Sequence, residues 1–262
     1  MTTSTVAASA LILASPAVAR IFTVYNSRHI VSLLGFFFPN DTDYQTTPLV
    51  YRLSFTIWPA LFTDLNVGGA TPNQPTGWVQ NAYQSVSFTV PNNWIAGHIW
   101  GRRNCNFSTN PGPNSCLDGS CKGRLLRDPH TGTGVPLRKY GLPHKHHCAD
   151  GYSTISRTLV EFTLSASSGV YYHDVSLVDG YIFPMKITNT AGCGIANCGV
   201  DLSPNCPEAL KGPYDSSGFP VGCKGDCLVD PNPSNSPSCC SGSHNTPATC
   251  PQRRPQIQLP QE

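Results

Sequence analysis

At 262 residues, a formal net charge of +2 and only 12% charged residues, the chain presents neither a basic surface for nucleic acid nor a charge run for an acidic membrane. Its 23 Gly and 24 Pro imply many turns, and 12 Cys beside two Met describe an exported, cross-linked protein rather than a cytosolic one. The length suits one large all-β domain or a main domain with a small appendage.

Residues 1–19 read as an export signal. Val6–Val18 is apolar and small, and Ala17-Val18-Ala19 offers an A-x-A cleavage site before Arg20. Arg20–Asn26 (RIFTVYN) then reads as a strand, as does Ser54–Trp58 (SFTIW). Between them, 27–53 has an apolar Phe triplet and no periodicity. Val86–Val90 alternates cleanly and stops at Pro91, the behaviour of an edge strand, and His98–Trp100 leads into the first cysteines. No stretch reaches membrane-spanning length, so no transmembrane segment is expected.

The most informative run is 159–185. Leu159–Leu164 alternates, with Val160, Phe162 and Leu164 on one side and Glu161 and Thr163 on the other, which places a carboxylate on the open face of a half-buried strand. A second run, Tyr171–Met185, carries Asp174 and Asp179. Acids at strand ends can simply cap or solvate the backbone. The alternative is a set of carboxylates able to work on a glycosidic bond, which needs one acid to protonate the leaving oxygen and one ionised partner. From Cys193 onward Cys, Pro, Gly, Ser and Asn dominate, with only a short helical hint at Glu208–Lys211. Cysteines 105, 116 and 121 lack zinc-knuckle spacing and are read as disulfide partners; His144, His146, His147 and Cys148 are not assigned a metal.

Several ordered blocks carry a resemblance: FTIWPALFTD at 55–64, GWVQNAYQSVSFTVPNNWIAGHIWGRRNC at 77–105, NSCLDGSCKGRLL at 114–126, TLVEFTL at 158–164, YYHDVSLVDGYIFPM at 171–185, and the cysteine pattern from Cys198 to Pro251. Together they resemble the thaumatin-like proteins, the osmotin and pathogenesis-related group that includes fungal glucanases. The resemblance implies an all-β, flattened sandwich over 20–190, a disulfide-rich second lobe over 191–251, and an acidic cleft. Residues 27–53 and 138–156 are foreign to the family pattern, 252–262 reads as a disordered tail, and the family's final segment is not found. By likeness the pairs are Cys105–Cys116, Cys206–Cys223, Cys227–Cys239 and Cys240–Cys250, leaving Cys121, Cys193 and Cys198 without their usual partners.

The family's cleft is described by an Arg and several acids. Glu161, Asp174 and Asp179 match those acids in type and spacing, whereas His98 stands at the Arg position. On this reading Glu161 is the acid, Asp179 the nucleophile or base, and Asp174 orients it or binds substrate. His98 can offer positive charge to substrate at low pH, and Tyr172 and Tyr181, with Tyr171 and Phe183, are candidates to stack on sugar rings, although core packing explains these aromatics about as well. The implied function is a secreted, extracellular or cell-wall protein that binds and weakly hydrolyses β-1,3-glucan or a related wall polysaccharide. The alternatives are a non-catalytic glucan-binding antifungal protein, a hydrolase inhibitor, or an inactive chain. A monomer without cofactor or metal is expected. Of the two sequons, Asn40-Asp-Thr42 and Asn106-Phe-Ser108, Asn106 is the expected glycosylation site.

Overall fold

The computed structural model describes residues 20–26, 31–35, 55–108, 115–119, 156–164, 171–190, 192–246 and 248–250. The readings of 1–19, Cys121, Cys148, the Asn40 sequon and the 252–262 tail lie outside them. In chain order the strands are β1 (Arg20–Asn26), β2 (Val31–Gly35), β3 (Ala60–Thr63), β4 (Ser85–Val90), β5 (Gly97–Trp100), β6 (Arg103–Cys105), β7 (Cys116–Asp118), β8 (Leu159–Thr163), β9 (Tyr172–Ser176), β10 (Gly180–Tyr181), β11 (Met185–Asn189), β12 (Ala196–Cys198) and β13 (Cys223–Lys224). The only α-helix among the described residues is one turn, α1 (Asp226–Val229). The fold is all-β.

Two sheets make the body: β12-β11-β2-β1-β4 and β3-β5-β8-β9, with β6-β7 and β10-β13 as small ribbons. The period-two pattern explains how they face each other. Phe22 and Val24 of β1, Phe88 and Val90 of β4, and Met185 and Ile187 of β11 meet Leu61, Ile99, Val160 and Phe162 of the other sheet in one buried cluster. Phe162 packs on Trp94 at 5.5 Å and on Phe22 at 5.0 Å between ring centroids. Gly97 is obligatory beside them, because a Cβ there would fall inside the Trp94 indole.

Several elements differ from the sequence reading. The expected strand over 54–58 reduces to an isolated bridge between Ile57 and Gln80, and the regular ladder starts at Ala60. Pro59 lacks the N–H that would carry the ladder through. Inside the segment foreign to the family, Val31–Gly35 forms the middle strand of the larger sheet, antiparallel to β1 and parallel to β11. The Tyr171–Met185 run divides into β9, β10 and the start of β11. Gly180, at φ +98°, makes the turn between the first two, where a side chain would strike the Cys223 carbonyl.

The second lobe is not separated from the sandwich at residue 190. β12 pairs with β11, and its Cys198 enters a second cluster with Tyr181, Leu202, Cys206, Leu210 and Cys223. Disulfides join Cys105–Cys116, Cys206–Cys223, Cys227–Cys239 and Cys240–Cys250. Cys193 is an exposed free thiol, and Cys198 a buried one whose pKa burial pushes up to about 11.

Phe162→Ala is expected to lower unfolding stability by about 3–5 kcal/mol in urea titrations, whereas truncation of the exposed Tyr172 stays within about 0.5 kcal/mol.

Candidate functional site

The outer face of β3-β5-β8-β9 carries two of the three candidate acids. Register places Phe62, His98, Glu161 and Asp174 side by side across the four strands. On one side of this row lies an apolar row of Ala60, Trp100 and Leu159, all buried, with Ser176. On the other side Thr163 of β8 faces Tyr172 of β9, which is 65% exposed. Exposure therefore rises along the row from His98 through Glu161 to Asp174.

His98 Nε2 lies 2.9 Å from Glu161 Oε1, and the imidazole stacks against the Phe62 ring at 5.9 Å. Glu161 is thus held from one side by an imidazole and faces Asp174 on the other. Directly opposed residues of an antiparallel pair have Cβ atoms about 4.5–5.5 Å apart, close enough for two carboxylates to repel. The Asp174 carboxyl is accordingly raised above its ordinary range. Partial desolvation is the larger cause and the Glu161 charge the next, with His98 and His173 opposing. A carboxyl raised above its ordinary range beside one contacted by an imidazole is an arrangement that can perform acid–base work.

Asp179 does not join this pair. Its Oδ2 accepts a hydrogen bond from Arg157 Nε at 2.9 Å, and the backbone N–H of Arg157 donates to the Asp179 carbonyl. Arg157 is almost wholly buried, with its guanidinium carbon 5.4 Å from the centre of Trp100. Asp179 therefore neutralises a buried cation beyond the apolar row, an arrangement unlike that of a nucleophile. Tyr181 is corrected too. It is fully buried, and its hydroxyl donates to Asp201 Oδ1 at 3.2 Å, so it offers no ring face to a sugar. His98, only 8% exposed, lies under Glu161 and in contact with it rather than on the open surface. Tyr172 alone of the expected sugar-contacting residues presents an open ring beside the acids.

Phe62 and Arg157 were missed in the sequence. The signal for Arg157 was present, since 157, 159 and 161 share one parity. Among the described residues no cluster of His, Cys, Asp and Glu has metal-holding geometry. No described helix is long and apolar enough to cross a membrane.

A family model described as the Thaumatin family matches residues 51–137 and 140–259. Among relatives, pathogenesis-related thaumatin-like protein 3.5 of Cryptomeria japonica is 33% identical over 77% of this chain and 71% of its own length. Thaumatin-like protein 1 of Arabidopsis thaliana is 29% identical over 85% and 74%, and the osmotin-like protein of Solanum lycopersicum 30% identical over 77% and 71%. Among solved structures, a laminaripentaose-producing β-1,3-glucanase in complex with laminaritetraose overlaps with a TM-score of 0.39 at 12% identity. The overlap covers 82% of this chain and 54% of that one, too loosely to bear on function.

Carboxyl NMR titration should find Asp174 above its ordinary value of 3.8, and Glu161→Gln should bring it part of the way back. A carboxyl whose folded pKa is raised favours the fold fully below its unfolded pKa and loses that contribution as pH rises through the folded value. Asp174→Asn is therefore expected to match or exceed the parent in thermal stability at neutral pH.

Proposed function

The chain belongs to the thaumatin family, and on that premise we propose that it is a secreted protein acting on the β-1,3-glucan of fungal cell walls. The observation that carries this reading is the in-register row His98–Glu161–Asp174 on a half-open sheet face, flanked by the exposed ring of Tyr172. Asp174, with its raised pKa, donates the proton to the leaving glycosidic oxygen. Glu161, fixed by His98, is the ionised carboxylate that attacks the sugar or activates water. Tyr172 stacks on a neighbouring sugar ring, and Asp179 positions Arg157 at the edge of the face. Relative to the sequence expectation, the acid moves from Glu161 to Asp174 and the nucleophile or base from Asp179 to Glu161, because the imidazole contacts Glu161 and Asp179 is paired with Arg157.

A specific observation supports a second reading, glucan binding without hydrolysis. With Asp179 committed to Arg157, a single acid pair remains where the family pattern calls for more carboxylates.

Laminarin digestion distinguishes the two. Hydrolysis predicts reducing-sugar release that is greatest at acidic pH and declines as Asp174 deprotonates. Glu161→Gln and Asp174→Asn each reduce it about 10²–10⁴-fold while pull-down on insoluble glucan persists. Pull-down by the parent protein without any release supports binding alone. Failure of both overturns the glucan reading. Tyr172→Ala should weaken the pull-down by about 1 kcal/mol without moving the pH profile.

A further inference from the structure

We propose that Asp118 is a proton-dependent latch: its carboxyl joins the β6-β7 ribbon to the second lobe and to the segment entering β8, closed while it holds a proton and loosened when it ionises. Asp118 ends β7 and is wholly buried. Its Oδ1 accepts the Gly119 N–H at 2.9 Å, and the Ser156 N–H, just ahead of β8, also bonds to the carboxyl. Oδ2 has no hydrogen-bond partner among the described residues and lies against Gly222 of the second lobe. A Cβ built on Gly222 would fall 2.5 Å from Asp118 Oδ2, 3.1 Å from the Tyr181 carbonyl oxygen and 3.4 Å from the Gly212 carbonyl oxygen. Oxygens alone therefore crowd that point. A carboxyl that keeps its proton can act there as a donor, whereas a carboxylate would face other acceptors out of water.

The charges around Asp118 do not remove that cost. On the ribbon, Arg103 stands opposite Asp118 in register, but its guanidinium carbon lies over the Phe55 ring, 4.5 Å from the centre. Its Nε is buried without a hydrogen-bond partner among the described residues. Arg103 also faces Asp215, Asp201 and Tyr181, so its charge is shared. From the segment entering β8 comes Arg157, which is bonded to Asp179. Burial pushes the Asp118 carboxyl well above its ordinary range, against the N–H bonds of Gly119 and Ser156 and the charges of Arg157 and Arg103. The ribbon has little room to retreat, because the Trp100 indole N–H donates to the Gly119 carbonyl at 2.9 Å and the Cys105–Cys116 disulfide closes the strands behind it.

Between the ordinary carboxyl pKa and the raised one, the folded chain holds a proton that the unfolded chain has released. The stability this group contributes is complete in acid and is lost as pH rises, with the unfolding constant growing about tenfold per pH unit across that window. The latch is tightest in acid whatever meets the outer face of β3-β5-β8-β9, so it stands or falls apart from the glucan reading.

The test compares the full chain with Asp118→Asn, which keeps the shape and cannot ionise. Chemical denaturation over a series of pH values should show the parent weakening relative to the variant. The ratio of their unfolding constants should change about tenfold per pH unit above the ordinary carboxyl range. Parallel curves overturn the proposal. Hydrogen exchange then separates a latch from a buried acid with no mechanical role. The Gly212 N–H donates to the Gly222 carbonyl at 3.1 Å, and the Leu164 N–H to the Trp94 carbonyl in the sandwich at 2.7 Å. In the parent, protection of Gly212 and of the Trp100 indole should fall with pH faster than that of Leu164; in Asp118→Asn the three should move in step. Equal behaviour in the parent also overturns the latch. Should Asp118→Asn fail to fold, the backbone-assigned side-chain carboxyl carbon of Asp118 in the parent decides. Titration well above 3.8, with Gly212 protection lost over the same range, supports the latch. Titration in the ordinary range, or loss of protection unlinked to it, overturns it.

Discussion

Phe162 sits between Trp94 and Phe22 at the centre of the sandwich, and the position of β8 follows from that contact. With Phe162 and Val160 inward, the intervening Glu161 must point outward, opposite His98 on β5 and Asp174 on β9. A slip of one residue would put the carboxylate into the aromatic core and an aromatic ring into water, so the alternative registers are heavily disfavoured. The acidic row is in this sense a by-product of core packing, held in place by dispersion and apolar burial rather than by its own charges. Trp94 reinforces the arrangement, since its indole N–H donates to Thr63 on β3 at 2.8 Å while its ring fills the space above Gly97 on β5.

The electrostatics of the outer face follow from a gradient of burial. His98 lies almost under cover, Glu161 is half-open, and Asp174 reaches the solvent. Two neighbouring carboxylates that differ in partners and in exposure do not titrate alike. Arg157 and Asp179 form a separate and much drier pair beyond Trp100. Pairing is what makes a nearly inaccessible guanidinium tolerable, because removing either member would leave an uncompensated charge out of water.

Much of this was legible in the chain. The alternation at 159–164 revealed β8 and its outward acid, and Pro91 correctly marked the end of an edge strand, since β4 closes one side of its sheet. What alternation could not reveal was long-range pairing. Tyr181 looks like an exposed aromatic until β10 is matched with β13, more than forty residues on, which seals the ring inside the second lobe. Asp179 matched the family in spacing, but its partner Arg157 lies twenty-two residues earlier, and only the turn at Gly180 brings the two together. Likewise, the run around Val31 has no period-two signal, and its place between β1 and β11 emerges only from their pairing.

The sharing of β12 between the sandwich and the disulfide-rich lobe carries a mechanical consequence. Its backbone is stitched to β11, while the sulfur of Cys198 is rooted among Tyr181, Leu202 and Cys206. The β10-β13 ribbon supplies a second seam. Pulling the two parts away from each other would mean unzipping main-chain ladders, so parting them costs backbone hydrogen bonds as well as buried apolar surface.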